Sequence, residues 1–337
     1  MQKITNDPDT VVDDALEGFL LANKGRVERT DNERVTKALG VPRKGKVGIV
    51  TGGGSGHKPA FVGYVGPNMV DAVAVGELFS SPPAMMFYDA FKAADSGSGV
   101  ACLYGNYAGD NMNVAMAIEM ASADGIDVRK VVANDDVASA PEFEREKRRG
   151  VAGEIFMWKV GAAKAAQGGS LSEVITVAQK AIDRTRSIGV GTSPCVIPEV
   201  GKPNFTIEPG TMELGIGHHG EPGVEVTALE PSKKIADRLL SALLSDLPFK
   251  KGNEVAVLVS GLGSTPALEQ FIFYRDVHRA LTSAGIKIYR SFVGQFFTSL
   301  EMGGLTLSLI QLDEELKACL DLEADCWGLS LWGGSGS

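Results

Sequence analysis

The chain is short of positive charge. Its 33 lysines and arginines stand against 42 aspartates and glutamates, a formal net charge of −9. An acidic balance of this kind argues against non-specific attachment to nucleic acid or anionic lipid, since both need basic patches. No apolar run approaches the ~20 residues of a membrane span, and the start, Met1-Gln2-Lys3-Ile4-Thr5-Asn6-Asp7, lacks the pattern of a secretion signal. The expectation is a soluble, cytoplasmic protein with neither a nucleic-acid nor a membrane partner. Cysteine is scarce as well. Cys102, Cys195, Cys319 and Cys326 show no C-x-x-C spacing, which in a long non-secretory chain argues against disulfide and metal frameworks and reads as core thiols.

The common phosphate loops are missing too. Counting from Gly52 puts His57 where a Walker A loop needs glycine, and no G-x-G-x-x-G register fits Gly52, Gly53, Gly54 and Gly56. A metal centre is not indicated. His218 and His219 are adjacent, so in an extended segment they point to opposite sides, and no nearby cysteine or H-E-x-x-H partner completes a ligand set.

What is present is an alternation of helices and strands. The 337 residues, 44% of them apolar, suffice for roughly two domains. Helical periodicity marks Val11 to Asn23, Pro83 to Ala94, Met112 to Ala123, Gly153 to Gln167, Leu171 to Ser187, Pro231 to Leu244 and Thr265 to Ala284. Short apolar strand-like runs lie at Val47 to Val50, Val70 to Val75, Val100 to Tyr104, Val128 to Val132, Val255 to Ser260 and Lys287 to Phe292. This predicts two α/β domains with mixed or mostly parallel sheets flanked by helices. Gly- and Pro-rich sequence after Ile188 suggests domains at 1–188 and 189–332, followed by a flexible tail of linker composition at 333–337.

Three loops carry the candidate chemistry. The segment from Gly215 to Gly223 places His218 and His219 among four glycines and a proline, a concentration that packing alone does not explain and that suits close approach of a small ligand. A second glycine loop, Thr51 to Pro59, carries His57; its bland alternative is a tight turn with a polar rim. The third, Gly105-Asn106-Tyr107-Ala108-Gly109-Asp110, ends in a carboxylate that by itself reads as a helix N-cap. All three read as strand-to-loop exits, and ligands of open α/β sheets bind at the carboxyl ends of strands.

Gly-Gly-Gly-Ser-Gly-His at 52–57, Gly-Asn-Tyr-Ala-Gly-Asp at 105–110 and His-Gly-Glu-Pro-Gly at 219–223 resemble the substrate-binding subunit of dihydroxyacetone kinases. Between them lie Phe79-Ser80-Ser81-Pro82, Asn134-Asp135-Asp136-Val137-Ala138, Arg149-Gly150-Val151-Ala152-Gly153 and Gly201-Lys202-Pro203, in the same order. The resemblance implies a two-domain α/β subunit, usually a homodimer, that binds a short ketose, while a separate helical subunit or fused domain brings ATP or ADP with Mg²⁺. It implies His219 as the covalent histidine that forms a hemiaminal with the ketone. It implies Asp110 as acceptor of the terminal hydroxyl proton, and His57 as the group that hydrogen-bonds and polarises the substrate. The backbone around Gly54 and Ser55 completes the cradle, and neither the chain nor the resemblance implies a metal on this subunit.

Three positions depart from the bacterial pattern of that family. Gly105 stands where a lysine is usual, Lys58 where a glutamate is usual, and His218 where an apolar residue is usual. These changes imply an altered pocket and make a tetrulose such as erythrulose a rival to dihydroxyacetone, with Lys58 either orienting the added hydroxyl or simply solvated. A non-catalytic ketose-sensing paralogue is the rival from another class, but it has no need of a proton acceptor such as Asp110. A sugar isomerase or aldolase ordinarily uses a Schiff-base lysine or a metal cluster, and neither pattern is present.

Overall fold

The computed structural model describes residues 3–203 and 205–332; the expected tail at 333–337 lies outside the described residues. Two mixed six-stranded sheets form the framework, as the alternation predicts. In the first, β1 (Val27–Arg29), β2 (Val35–Ala38), β3 (Gly48–Gly53), β4 (Ala72–Val75), β5 (Val100–Gly105) and β6 (Val128–Ala133) are ordered β1-β2-β4-β3-β5-β6. Strand β3 runs parallel to both β4 and β5, while β1, β2 and β4 are joined antiparallel. In the second sheet, β7 (Thr185–Ser193), β8 (Thr211–Leu214), β9 (Glu225–Ala228), β10 (Glu254–Gly261), β11 (Lys287–Gly294) and β12 (Gly303–Leu312) are ordered β11-β10-β12-β7-β8-β9. Only β10 and β11 are parallel in it.

The helices are α1 (Val11–Ala22), α2 (Ala84–Ala94), α3 (Ala108–Ala123), α4 (Glu154–Ala166), α5 (Leu171–Asp183), α6 (Ser232–Asp246), α7 (Ala267–Ser283) and α8 (Glu314–Asp321). Helices α2, α6 and α7 each begin directly after a proline, Pro83, Pro231 and Pro266, a residue that lacks the N–H a helix start leaves orphaned anyway. On α2 the buried residues Ala84, Phe87, Ala90, Phe91 and Ala94 recur at helical spacing. They pack with Val50, Ala72, Ala74, Val100, Cys102 and Tyr104 of the first sheet. The second core joins Leu305, Leu307 and Leu309 of β12 and Val255, Val257 and Val259 of β10 to Leu239, Leu243, Phe273 and Val277 of α6 and α7.

The sequence reading missed β1, β2, β7, β8, β9 and β12, and it extended α5 to Ser187. Residues 185–187 instead open β7, where Ser187 pairs with Ser308 of β12. Strand β12 carries a legible alternation, Leu305-Thr306-Leu307-Ser308-Leu309, but both faces are buried, so its polar residues serve a second interior rather than solvent.

The chain forms two compact units that are discontinuous in sequence, unlike a single boundary at 188. Unit 1 comprises Met1–Val132, Met157–Lys180 and Leu316–Ser337; unit 2 comprises Ala133–Phe156 and Ala181–Glu315. Local bonding explains the exchange of segments. Ser187 N–H donates to the Asp135 carbonyl at 2.8 Å and Val137 N–H to the Ser187 carbonyl at 3.0 Å, tying 133–156 to β7. At the far end, Gly328 N–H donates to the Gly63 carbonyl at 2.7 Å and the buried Lys159 ammonium to the Cys319 carbonyl at 2.7 Å, tying the last segment to unit 1. All four cysteines are buried and none is in a disulfide. No helix among the described residues is long and apolar enough to cross a membrane.

Candidate functional site

Unit 1 brings three loops to one sheet edge, because β4, β3 and β5 are adjacent and parallel and their carboxyl ends therefore open on the same side. The loop after β3 carries His57, the loop after β4 carries Phe79 to Ser81, and β5 leads through Gly105 into α3. Asp110 is the third residue of α3, not its N-cap; that position is Tyr107, which makes no side-chain cap. Its carboxylate is favoured by the helix N-terminus. It accepts a hydrogen bond from the Ser81 hydroxyl at 2.7 Å, and Asn113 donates in turn to that hydroxyl at 3.1 Å. Gly105 is buried at the end of β5 and its carbonyl accepts from Tyr107 N–H at 2.9 Å. Ser81 and Asn113, which no sequence argument had placed beside Asp110, were legible only as the short Ser-Ser-Pro run and a mid-helix asparagine.

The glycines of the His57 loop make room mainly for the protein itself. A methyl group on Gly52 would meet the Phe87 ring, on Gly53 the Phe61 ring, on Gly54 the backbone of Phe79 and Ser80, and on Gly56 the Phe79 ring. His57 is 3% exposed, its ring 5.1 Å from that of Phe79. The cavity lined by Gly53, Gly54, Ser55, Lys58 and Phe61 measures about 10 Å³, the room of a single water. Ser55 is likewise turned to the framework, its hydroxyl donating to the Gly76 carbonyl at 2.7 Å. Lys58 is half-buried rather than solvated. Burial, assisted by the nearby Arg34 charge, pushes its amine down to about 8. A surface groove of about 790 Å³ elsewhere in unit 1 is lined by Glu28, Arg29, Asp31, Lys37, Asp89 and Lys92, among others, and holds none of the expected site residues.

Unit 2 presents the His219 loop differently. It is not a strand exit toward a helix but the turn of an antiparallel hairpin between β8 and β9. Gly215 and Gly220 have φ of +77° and +82°, conformations that side chains other than glycine rarely adopt. His218 and His219 sit in different surroundings, and His218, expected beside the substrate, is turned to the interior. His218 is 2% exposed, its Nε2 lies 3.1 Å from the Thr306 hydroxyl, and its ring packs 4.7 Å from that of Phe297. Burial, and next the neighbouring His219 charge, push its pKa down to about 3, so it is neutral and belongs to the interior. The Ser299 hydroxyl donates to its carbonyl. Thr306 and Ser299 were missed at the sequence level. The signal for Thr306 was the polar half of the β12 alternation.

His219 is partly exposed and held by Glu221. One carboxylate oxygen lies 2.9 Å from His219 Nδ1, and the other accepts the His219 backbone N–H at 2.9 Å. Burial alone would raise the Glu221 carboxyl; the hydrogen bond from His219, that ring's charge and Arg149 outweigh it and hold the group below the usual carboxylate range. An ionised carboxylate only accepts, so Nδ1 carries a proton, and in the neutral form of the ring that leaves the lone pair on Nε2. Among the described residues no group of three or more His, Cys, Asp or Glu side chains is placed to hold a metal ion.

Comparison with known protein families matches residues 17–327 to the Dak1 domain. The chain belongs to the Dak1 family. It is 42% identical, over 94% of this chain and 95% of its relative, to the dihydroxyacetone-binding subunit DhaK of PTS-dependent dihydroxyacetone kinase 1 from Listeria innocua. It is 40% identical to the D-erythrulose kinase of Mycolicibacterium smegmatis, a match covering 96% of this chain and 56% of that protein. Among solved structures, the dihydroxyacetone kinase operon co-activator Dha-DhaQ superposes with a TM-score of 0.89 at 32% identity, over 95% of this Dak1 chain and 99% of the co-activator.

Proposed function

We propose that this Dak1 chain is the ketose-binding subunit of a phosphotransferase, a cytoplasmic and homodimeric protein that works with a separate nucleotide-binding subunit carrying ATP or ADP and Mg²⁺. The observation that carries the reading is the Glu221–His219 pair at 2.9 Å. Attack of the His219 Nε2 lone pair on the ketone forms a carbon–nitrogen bond, and the carbonyl oxygen takes up a proton and becomes a hydroxyl. The ring becomes cationic, and the Glu221 carboxylate already stands at its Nδ1–H. Covalent capture removes the freedom of the ketose and makes the following step effectively intramolecular. Asp110, its carboxylate fixed by Ser81, takes the terminal hydroxyl proton as that oxygen attacks phosphorus. His57 polarises the substrate, and the backbone at Gly54 and Ser55 with Lys58 and Gly105 shapes its surroundings.

A tetrulose substrate is the second reading, supported by Gly105, by the half-buried Lys58 with its lowered amine pKa and by the similarity to an erythrulose kinase. The similarity to an operon co-activator supports the sensor reading less well, because Asp110 and its Ser81 contact serve chemistry rather than capture. Reconstitution decides: the chain is combined with a helical nucleotide subunit and its donor, ATP or a phosphoprotein relay, and offered dihydroxyacetone and erythrulose. Phosphorylated ketose is expected only with both subunits present. Binding of ketose without turnover under either donor would leave the sensor reading standing instead.

A further inference from the structure

The segments Asn134–Ala138 and Arg149–Gly153 take no part in the chemistry above, yet they meet behind His219. We infer that Arg149 is a positioning residue that clamps Glu221 across Gly217 and so fixes the tautomer of His219. The inference rests on His219 being the covalent group.

Arg149 is 13% exposed and its guanidinium forks three ways. Nε and Nη2 reach Asp136 Oδ2 at 3.0 and 2.8 Å, Nη2 donates to the Gly215 carbonyl at 3.0 Å, and Nη1 lies 3.8 Å from Glu221 Oε2. Asp136 cannot follow a swinging arginine, because it is 2% exposed and also accepts from Ala138 N–H at 3.1 Å. The second segment is fixed by the same logic: the buried Asp135 accepts from Val151 and Gly153 N–H at 3.1 and 3.0 Å. Glu221 Oε2 is thus shared between Arg149 and the His219 backbone, which leaves Oε1 directed at Nδ1. A planar fork suits this task, and a lysine ammonium does not.

Gly217 is what lets the clamp close. A methyl group there would collide with both Glu221 Oε2 and Arg149 Nη1. Its φ lies outside the left-handed region, so alanine at 217 adds a wedge between the two charges without straining the backbone or removing any charge.

The test uses the full chain, dihydroxyacetone labelled at its carbonyl carbon, and nitrogen-15 spectra of the His219 ring, assigned with His219→Ala. The unmodified protein should show the Nδ1–H tautomer alone. Gly217→Ala and Arg149→Lys should each give a tautomer mixture and weaken the adduct by about tenfold, the scale of one charge-assisted hydrogen bond. Arg149→Lys preserves the charge pair with Asp136, so full recovery of tautomer and adduct in that variant would mark Arg149 as merely structural and overturn the inference. An unchanged Gly217→Ala would overturn it as well, as would an Nε2–H ring in the unmodified protein. If either variant fails to fold, the other and the ring spectrum still decide. Absence of any adduct in the unmodified protein would instead sink the covalent role of His219.

Discussion

The two glycine-rich histidine loops look alike in sequence and are built for different ends. Around His57 the glycines admit aromatic rings, Phe61, Phe79 and Phe87, and the histidine is packed among them at 3% exposure. Around His219 the glycine at 217 admits a carboxylate and a guanidinium, and the histidine keeps a quarter of its side chain exposed. One loop is closed by aromatic packing, and the other is held by charged neighbours. Glycine content alone therefore does not report ligand contact; what fills the space beside each glycine does.

The largest effect expected separates packing from chemistry within unit 1. Asp110→Asn should preserve ketose binding and lower the phosphorylation rate in the reconstituted system by about 10²–10⁴-fold, the range of a lost general base. Equal losses of binding and turnover would place Asp110 with the framework instead. Next comes the contrast between the loops. Gly53→Ala forces the Phe61 ring aside and should cost about 1–3 kcal/mol of stability, as overpacking does, measured by denaturant melts. Gly217→Ala should lose adduct out of proportion to stability. A Gly53→Ala protein of unchanged stability would break the distinction.

A smaller effect concerns size selection. Gly105→Lys should shift kcat/KM from erythrulose toward dihydroxyacetone, and an unchanged ratio would show that position 105 does not set substrate length. The last effect is on stability against pH. His218 has a pKa of about 3 in the fold against 6.5 for an ordinary histidine. Below pH 6.5 the unfolded chain therefore binds a proton that the fold refuses, and stability falls as pH drops from 6.5 toward 3, by at most about 1.4 kcal/mol per pH unit. His218→Gln should flatten that slope; an identical slope would mean that His218 is not the neutral, buried group described.

The parts legible in the sequence were those that repeat locally. Helices with a clear apolar stripe, such as α2, and continuous buried runs, such as β5, can be read from spacing alone. Asp110, His57 and His219 could be singled out because glycine and reactive side chains are rare company. The second sheet was harder, because most of its strands are antiparallel and two, β8 and β9, are only four residues long amid Gly- and Pro-rich sequence. Thr306 and Ser299 were invisible as partners of His218 because they arrive from about 80 to 90 residues away in the chain. The exchange of segments between units was hidden for the same reason: Ala133–Phe156 joins unit 2 through pairing with β7, a contact that no local pattern records.

The central claim is that Glu221 sets His219 to capture a ketone covalently. Carbon-13 NMR of dihydroxyacetone labelled at its carbonyl carbon, mixed with the full chain at neutral pH, tests it most directly. The bound carbon should move from the trigonal carbonyl region to that of a tetrahedral carbon bearing nitrogen and oxygen, and the signal should vanish in His219→Ala. A bound ketose whose carbon stays trigonal, or a tetrahedral signal that survives His219→Ala, would contradict the account.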